Sequence, residues 1–197
     1  MSLFRRYSIN KVFSLIIDKV RTLLLFKEAR IIRFPIDVRG KKFISVTKGF
    51  TTGIGCRIEA YPENNNMTLF FGENFQMNDY VHITAMESVK IGKNVLLASK
   101  VYISDCSHGS YSGDENDSSP LSIPKDRPLF SKPVEIGDNV WIGEFVSVLP
   151  GVSIGRGSII GANSVVSRNI PENVIAVGSP AKPIKKFNFE TQKWEKI

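Results

Sequence analysis

Residues 136–166 read IGDNVWIGEFVSVLPGVSIGRGSIIGANSVV, and every sixth position is aliphatic: Ile136, Ile142, Val148, Ile154, Ile160 and Val166. Glycine follows four of these six. Phe71, Met77 and Ile83 keep the same step, as do Ile91, Leu97 and Ile103 after a slip of two residues. In a chain that is 42% apolar, twelve apolar residues in one chosen phase arise by chance on the order of once in thirty thousand trials. A period of six is neither helical nor that of a simple hairpin sheet, but it suits short parallel strands separated by corners, three hexads closing one triangular coil. The aliphatic side chain points inward, coil stacks on coil, and Gly or Ala just after it (Gly92, Ala98, Gly137, Gly143, Gly155, Gly161) leaves room for a sharp corner.

The twelve positions make four coils, and Val38, Ile44, Phe50 and Cys56 predict an irregular first coil, with residues 57–70 as an interruption. The expected organisation is an all-β solenoid over residues 35–170, preceded by an amphipathic helical segment at 1–34 and closed by a C-terminal tail at 171–197. In that tail Pro171, Pro180 and Pro183 argue against a further coil. Residues 104–133, with Gly109, Gly113, Pro120, Pro124 and Pro128, break the period and predict an extended loop; long loops on a rigid scaffold tend to carry function.

The 197 residues carry a net charge of +7, unevenly placed. Residues 1–48 hold twelve Lys/Arg against three acids, and the remainder is slightly acidic. No nucleic-acid-binding module accompanies the basic segment, so a nucleic-acid partner is not expected. A solvated basic face is the plain reading, and contact with an anionic membrane or a lipid-linked phosphate is the sharper one. Cys56 and Cys106 fit neither a disulfide framework nor a paired-thiol metal site, which predicts a reducing, cytoplasmic setting.

Within residues 9–24, Ile9, Val12, Phe13, Ile16, Ile17, Val20, Leu23 and Leu24 recur in steps of three and four and form one helical stripe. Asp18, Lys19 and Arg21 interrupt every apolar run before it reaches a membrane-spanning length, and no signal-peptide stretch follows Arg5 and Arg6. The helix packs on the solenoid, on a partner subunit or on a membrane surface, and the pattern does not choose.

The hexads, the loop entered by Asp105-Cys106-Ser107-His108-Gly109, the re-entry Ile136-Gly137-Asp138-Asn139-Val140-Trp141-Ile142-Gly143 and the tail Gly178-Ser179-Pro180-Ala181-Lys182 occur in a telling order. Over about residues 70–186 the chain resembles the hexapeptide-repeat acyltransferases, and within them the sugar O-acetyltransferases of the galactoside and surface-polysaccharide types. The resemblance implies a left-handed parallel β-helix and a homotrimer with active sites between subunits. It also implies acetyl-CoA as acyl donor and a saccharide acceptor; a nucleotide- or lipid-linked intermediate is expected, the lipid-linked form being motivated by the basic N-terminal helix, and the thioester chemistry requires no metal. Family members often show Asp-His-x-His where this chain has Asp105-Cys106-Ser107-His108, so the catalytic base maps onto His108, while the first His is absent. Asn78 matches an acceptor-binding asparagine, and Trp141 a tryptophan lining the acyl and acceptor region. For coenzyme A the resemblance points to Trp141, Gly143, Gly161, Ala162, Ser167, Arg168, Lys182 and Lys185.

A thioester is already activated, so transfer needs a base for the acceptor hydroxyl and donors for the oxyanion. His108, on the loop, suits the first role because an imidazole titrates near neutrality. His82 falls between inward positions and reads as a structural or outer-surface residue. Cys106 lies two residues from His108, which raises an acyl-cysteine route; a small thiol filling a vacated histidine site is the plainer account. Asn78 alternatively holds a coil corner, Trp141 packs at a subunit seam, and the cations are ordinary solvated charges. The rival readings are N-acetyl transfer to an amino sugar, acetylation of an antibiotic, and a non-enzymatic solenoid. A zinc carbonic anhydrase wants three histidines per metal, and the chain has two.

Overall fold

The computed structural model describes residues 7–197; residues 1–6, with Arg5, Arg6 and the start of the 1–34 segment, lie outside the described residues. Short parallel strands stack into three sheets that face one another around a closed core. The first face carries Ile36–Arg39, Cys56–Ala60, His82–Ala85, Tyr102–Ser104, Ser147–Val148 and Val165–Val166. The second carries Ile44–Val46, Leu69–Phe71, Val89–Ile91, Val134–Ile136 and Ser153–Ile154, and the third Thr51–Thr52, Gln76–Met77, Leu96–Leu97, Trp141–Ile142, Ile159–Ile160 and Val174–Val177.

The chain visits the faces in that order six times, the sixth visit to the second face being the single bridge Ile154–Ile170. Four regular coils and one irregular one are therefore too few. Cys56–Ala60 and Leu69–Phe71 are ordinary rungs, so the interruption expected at 57–70 shrinks to residues 61–68. The early repeat was hidden because the inward residues there are Val38, Val46, Thr52 and Ile58, with a first step of eight and one threonine among them.

Register fixes the core. On the first face Val38, Ile58, Ile83, Ile103, Val148 and Val166 stand directly above one another. Ile91, Ile136 and Ile154 do so on the second face and Met77, Leu97, Ile142 and Ile160 on the third. A second inward row lies two residues before these, filled in the middle coils by Val81, Val89, Val95, Val101, Val134, Val140, Val146 and Val152, all buried, and at the ends by such residues as Cys56, Phe75, Ser158 and Ser164. Two residues in six thus enter the core, where the hexad reading assigned one. The early coils include aromatics in their core, with the Phe50 and Phe71 rings 4.9 Å apart and Phe71 and Phe75 4.8 Å apart.

The corner glycines answer to the next coil rather than to a special backbone angle. A Cβ on Gly137 would stand 2.7 Å from the Arg156 backbone nitrogen, and one on Gly143 2.6 Å from that of Ala162. The left-handed corner conformation falls instead three residues after the inward aliphatic, as at Asn94 (φ 57°) and Asn139 (φ 58°), where asparagine tolerates it. Those side chains also bond to one another, Asn94 Nδ2 donating to Asn139 Oδ1 at 3.0 Å.

The two ends differ from expectation. Val174–Val177 adds one more parallel rung before the chain reverses into Lys182–Asn188 and Lys193–Lys196, both antiparallel, so the tail closes the stack as a hairpin. At the other end helix α1 (Ile9–Leu25) starts at Ser8, whose hydroxyl accepts from Lys11 N–H. It packs on the body through its polar side: Asp18 and Thr22 are buried, and Thr22 Oγ1 accepts from Ile32 N–H at 2.8 Å while donating to the Asp18 carbonyl at 2.6 Å. The apolar stripe faces outward. Among the described residues, no helix is long and apolar enough to cross a membrane.

Gly137→Ala is expected to lower stability by about 1–3 kcal/mol although it adds only one methyl, because two coils must part to admit it. Chemical denaturation of the two proteins measures this.

Candidate functional site

The break in the repeat is an ordered arm. Cys106–His108 pairs antiparallel with Leu129–Ser131, and between them Arg127 ties the turn together by donating to Ser122 and Tyr111, whose hydroxyl donates to the His108 carbonyl at 2.6 Å. An extended loop was expected here; enough donors and acceptors lie within the segment to close it on itself.

Asp105 moors the arm. Its fully buried carboxylate accepts from the backbone N–H groups of Met86, Glu87 and Ser88, each at 2.8 Å, and its own carbonyl accepts from Lys132 N–H at 2.8 Å. Burial pushes this carboxyl up from its ordinary range, against the downward pull of the three N–H groups. One residue therefore fixes both where the arm leaves the coil and where it returns.

His108 is exposed, and among the described residues no hydrogen bond holds its ring. Cys106 is half-buried, with Sγ 3.5 Å from Ser104 Oγ. Burial raises its thiol, against the hydrogen bond from Ser104, which disfavours the thiolate an acyl-cysteine would need. Cys56, whose Sγ donates to the Asn78 carbonyl at 3.1 Å, is buried and pushed up to about 11 by that burial.

The residues matched to coenzyme A fall into two groups. Register places Leu96, Trp141, Ile159, Ile175 and Lys185 in one outward row of the third face, with Lys182 opposite Val177 further along the same strand pair. Trp141 is 49% exposed. Gly143 and Gly161 follow that row at the corner, where their N–H groups donate to the carbonyls of Ile160 and Ala176, and Ala162 is exposed beside them. Ser167 and Arg168, both exposed, lie one corner further round, after the last strand of the first face. Asn78 sits at the corner after Met77, half-buried, its backbone N–H donating to the Leu97 carbonyl. Among the described residues no hydrogen bond or ring contact joins His108 to Asn78, Trp141 or the basic tail.

A constellation absent from the sequence reading lies on the outer side of the first face. Glu59, 4% exposed, accepts from His82 Nε2 at 2.9 Å, Arg57 at 2.5 Å, Arg39 at 3.0 Å, Tyr61 at 2.9 Å and Thr84 at 3.2 Å. The His82 ring stands edge-on to Tyr102, centroids 5.4 Å apart. Its place on the outer surface agrees with the sequence reading, but its carboxylate partner does not follow from spacing. Glu59 and His82 are 23 residues apart, and only the coil-to-coil register joins them. Burial raises the Glu59 carboxyl, yet the bonds from His82, Arg57 and Tyr61 and the charge of Arg57 outweigh it, and it settles at about 2.

The family profile described as "Bacterial transferase hexapeptide (six repeats)" matches residues 133–168. The chain belongs to the hexapeptide-repeat acetyltransferases. It is 46% identical over 196 residues to the Escherichia coli protein WbbJ, provisionally named a lipopolysaccharide biosynthesis O-acetyl transferase, covering 100% of this chain and 98% of that one. It is 38% identical over 120 residues to the galactoside O-acetyltransferase of Escherichia coli, covering 61% of this chain and 55% of that one. Among solved structures it resembles a variant of the N-acyltransferase AntD from Bacillus cereus, in complex with dTDP-4-amino-4,6-dideoxyglucose and coenzyme A. There the TM-score is 0.67 at 19% identity, covering 83% of this chain and 84% of that one, a likeness of fold.

The depressed Glu59 carboxyl favours the folded state above about pH 4.5, and this contribution is lost as pH falls through about 2. Glu59→Gln is accordingly expected to cost up to about 3 kcal/mol at neutral pH, the gap to the parent closing in acid. Urea midpoints followed across pH report both.

Proposed function

We propose that the protein is an acetyl-CoA-dependent O-acetyltransferase acting on a saccharide hydroxyl in the building of a bacterial surface polysaccharide, with His108 as general base. The observation that carries this reading is the exposed, uncommitted imidazole on an arm whose exit and return are both fixed by Asp105. The full-length similarity to a protein named for lipopolysaccharide O-acetylation supports the acceptor class.

In the proposed reaction His108 takes the proton of the acceptor hydroxyl as its oxygen attacks the thioester carbonyl. The tetrahedral oxyanion collapses, the C–S bond breaks, and the departing coenzyme A sulfur receives the proton from the imidazolium. The ester and free coenzyme A result, with no oxidant or metal in the balance. Trp141 offers an indole face to the pantetheine or the sugar. The Trp141-to-Lys185 row, Gly143, Gly161 and Ala162 follow the body of the coenzyme, while Ser167, Arg168, Lys182 and Lys185 meet its phosphates. Asn78 binds the acceptor.

We further infer a left-handed coil and a homotrimer, working in the cytoplasm. On this reading the site is completed between neighbouring subunits. The domain division at 34 and 170 becomes, on this reading, α1 with its return segment, the coil, and a tail whose first rung still belongs to the coil.

Release of free thiol from acetyl-CoA in the presence of oligosaccharide acceptors tests the proposal. His108→Ala is expected to lower kcat by about 10²–10⁴-fold with stability unchanged, whereas Cys106→Ala keeps most of the turnover. Loss with Cys106→Ala, or with His82→Ala while His108→Ala stays active, would move the base elsewhere.

A further inference from the structure

An amphipathic helix that caps a soluble core turns its apolar stripe inward, and α1 does the reverse. Ile9, Phe13, Ile16, Ile17, Val20, Leu23 and Leu24 are between 49% and 81% exposed, while Asp18 and Thr22, on the opposite side, are buried. The orientation is bonded in place. Thr22 holds the Ile32 backbone, and Lys19 Nζ donates to the Arg30 carbonyl at 2.7 Å and, more distantly, to that of Ala29. A half-turn of rotation would break these bonds and leave the Ile32 N–H unsatisfied in the interior.

We propose that this stripe is a docking surface for an anionic phospholipid bilayer, on which α1 lies in the plane of the headgroups. Charge selects this occupant. The one acid of the helix, Asp18, is buried, so the charges it exposes are the cations Lys19 and Arg21 at the two flanks of the stripe. Lys27 and Arg30 follow, exposed, against the single exposed acid Glu28. The first 48 residues carry twelve basic side chains and three acidic ones. A second copy of the stripe would bring the same excess of positive charge against itself, whereas an anionic surface complements it. The length is right for this posture: 17 residues extend about 25 Å, and apolar side chains flanked by long cationic ones are the pattern of helices that lie in an interface. This inference stands on the exposed stripe and the charges around it and does not depend on which sugar, or which base, the enzyme uses.

Flotation of the full-length protein with vesicles tests it, using phosphatidylcholine alone and equal parts phosphatidylcholine and phosphatidylglycerol, at low and high salt. The protein is expected to float with the anionic vesicles at low salt and to be released at high salt or from phosphatidylcholine alone. The triple variant Ile16→Ser, Val20→Ser, Leu24→Ser alters only exposed positions, so its thermal midpoint should hold while binding falls at least tenfold. Arg21→Glu with Lys27→Glu should abolish the preference for phosphatidylglycerol. A parent protein that stays out of both vesicle fractions overturns the proposal, as does a triple variant that floats like the parent. So does a triple variant whose oligomer dissociates in sedimentation analysis, since the stripe would then be a subunit contact.

Discussion

Each coil is held to the next by parallel backbone hydrogen bonds in strict register, so that inward Ile103 stands over Ile83 and under Val148. Everything else is set by that vertical alignment. A strand of two residues has little stability of its own; repeated six times with its side chains stacked, it forms a core in which every layer templates its neighbours. The same alignment carries residues far apart in sequence onto one outward row, which is how Trp141 and Lys185 come to share a surface and how His82 meets Glu59.

The regular half of the molecule was legible because its inward positions are almost uniformly aliphatic, and a six-residue period cannot be mistaken for a helix or a hairpin. The early coils were not, since Thr52 stands at an inward position and aromatic rings fill the space that aliphatics fill later. The second buried row was visible in principle, in the valines at 140, 146 and 152, but a single-phase reading passes over it. Helical periodicity found α1 and its two faces, yet period alone carries no information about which face meets the body. That depended on a hydrogen bond from Ile32, a residue outside the helix.

For the candidate site, His108 is singled out in the sequence by the motif around it, whereas its exposure, with no hydrogen bond to its ring among the described residues, is visible only in the structure. The role of Asp105 was hidden behind its motif: in the sequence it introduces a histidine, and in the fold its carboxylate gathers three backbone N–H groups. Spacing could not have revealed Glu59, because its partners come from three successive rungs. The column thus presents on its surface an arm bearing an exposed imidazole and, on the third face, a strip of indole, glycine and lysine.

The reversal at the C-terminal end has a further meaning. A stack of parallel strands offers an open row of amide and carbonyl groups at each terminus, an invitation to fibril growth by edge-to-edge addition. Here the third face is covered by Lys182–Asn188, which runs against the grain of the column, and beyond it the outermost strand presents Lys193, Glu195 and Lys196 around Trp194. An incoming copy would meet on that face a hairpin edge lined with charges in place of a continuing hexad, which opposes propagation of the repeat beyond one molecule.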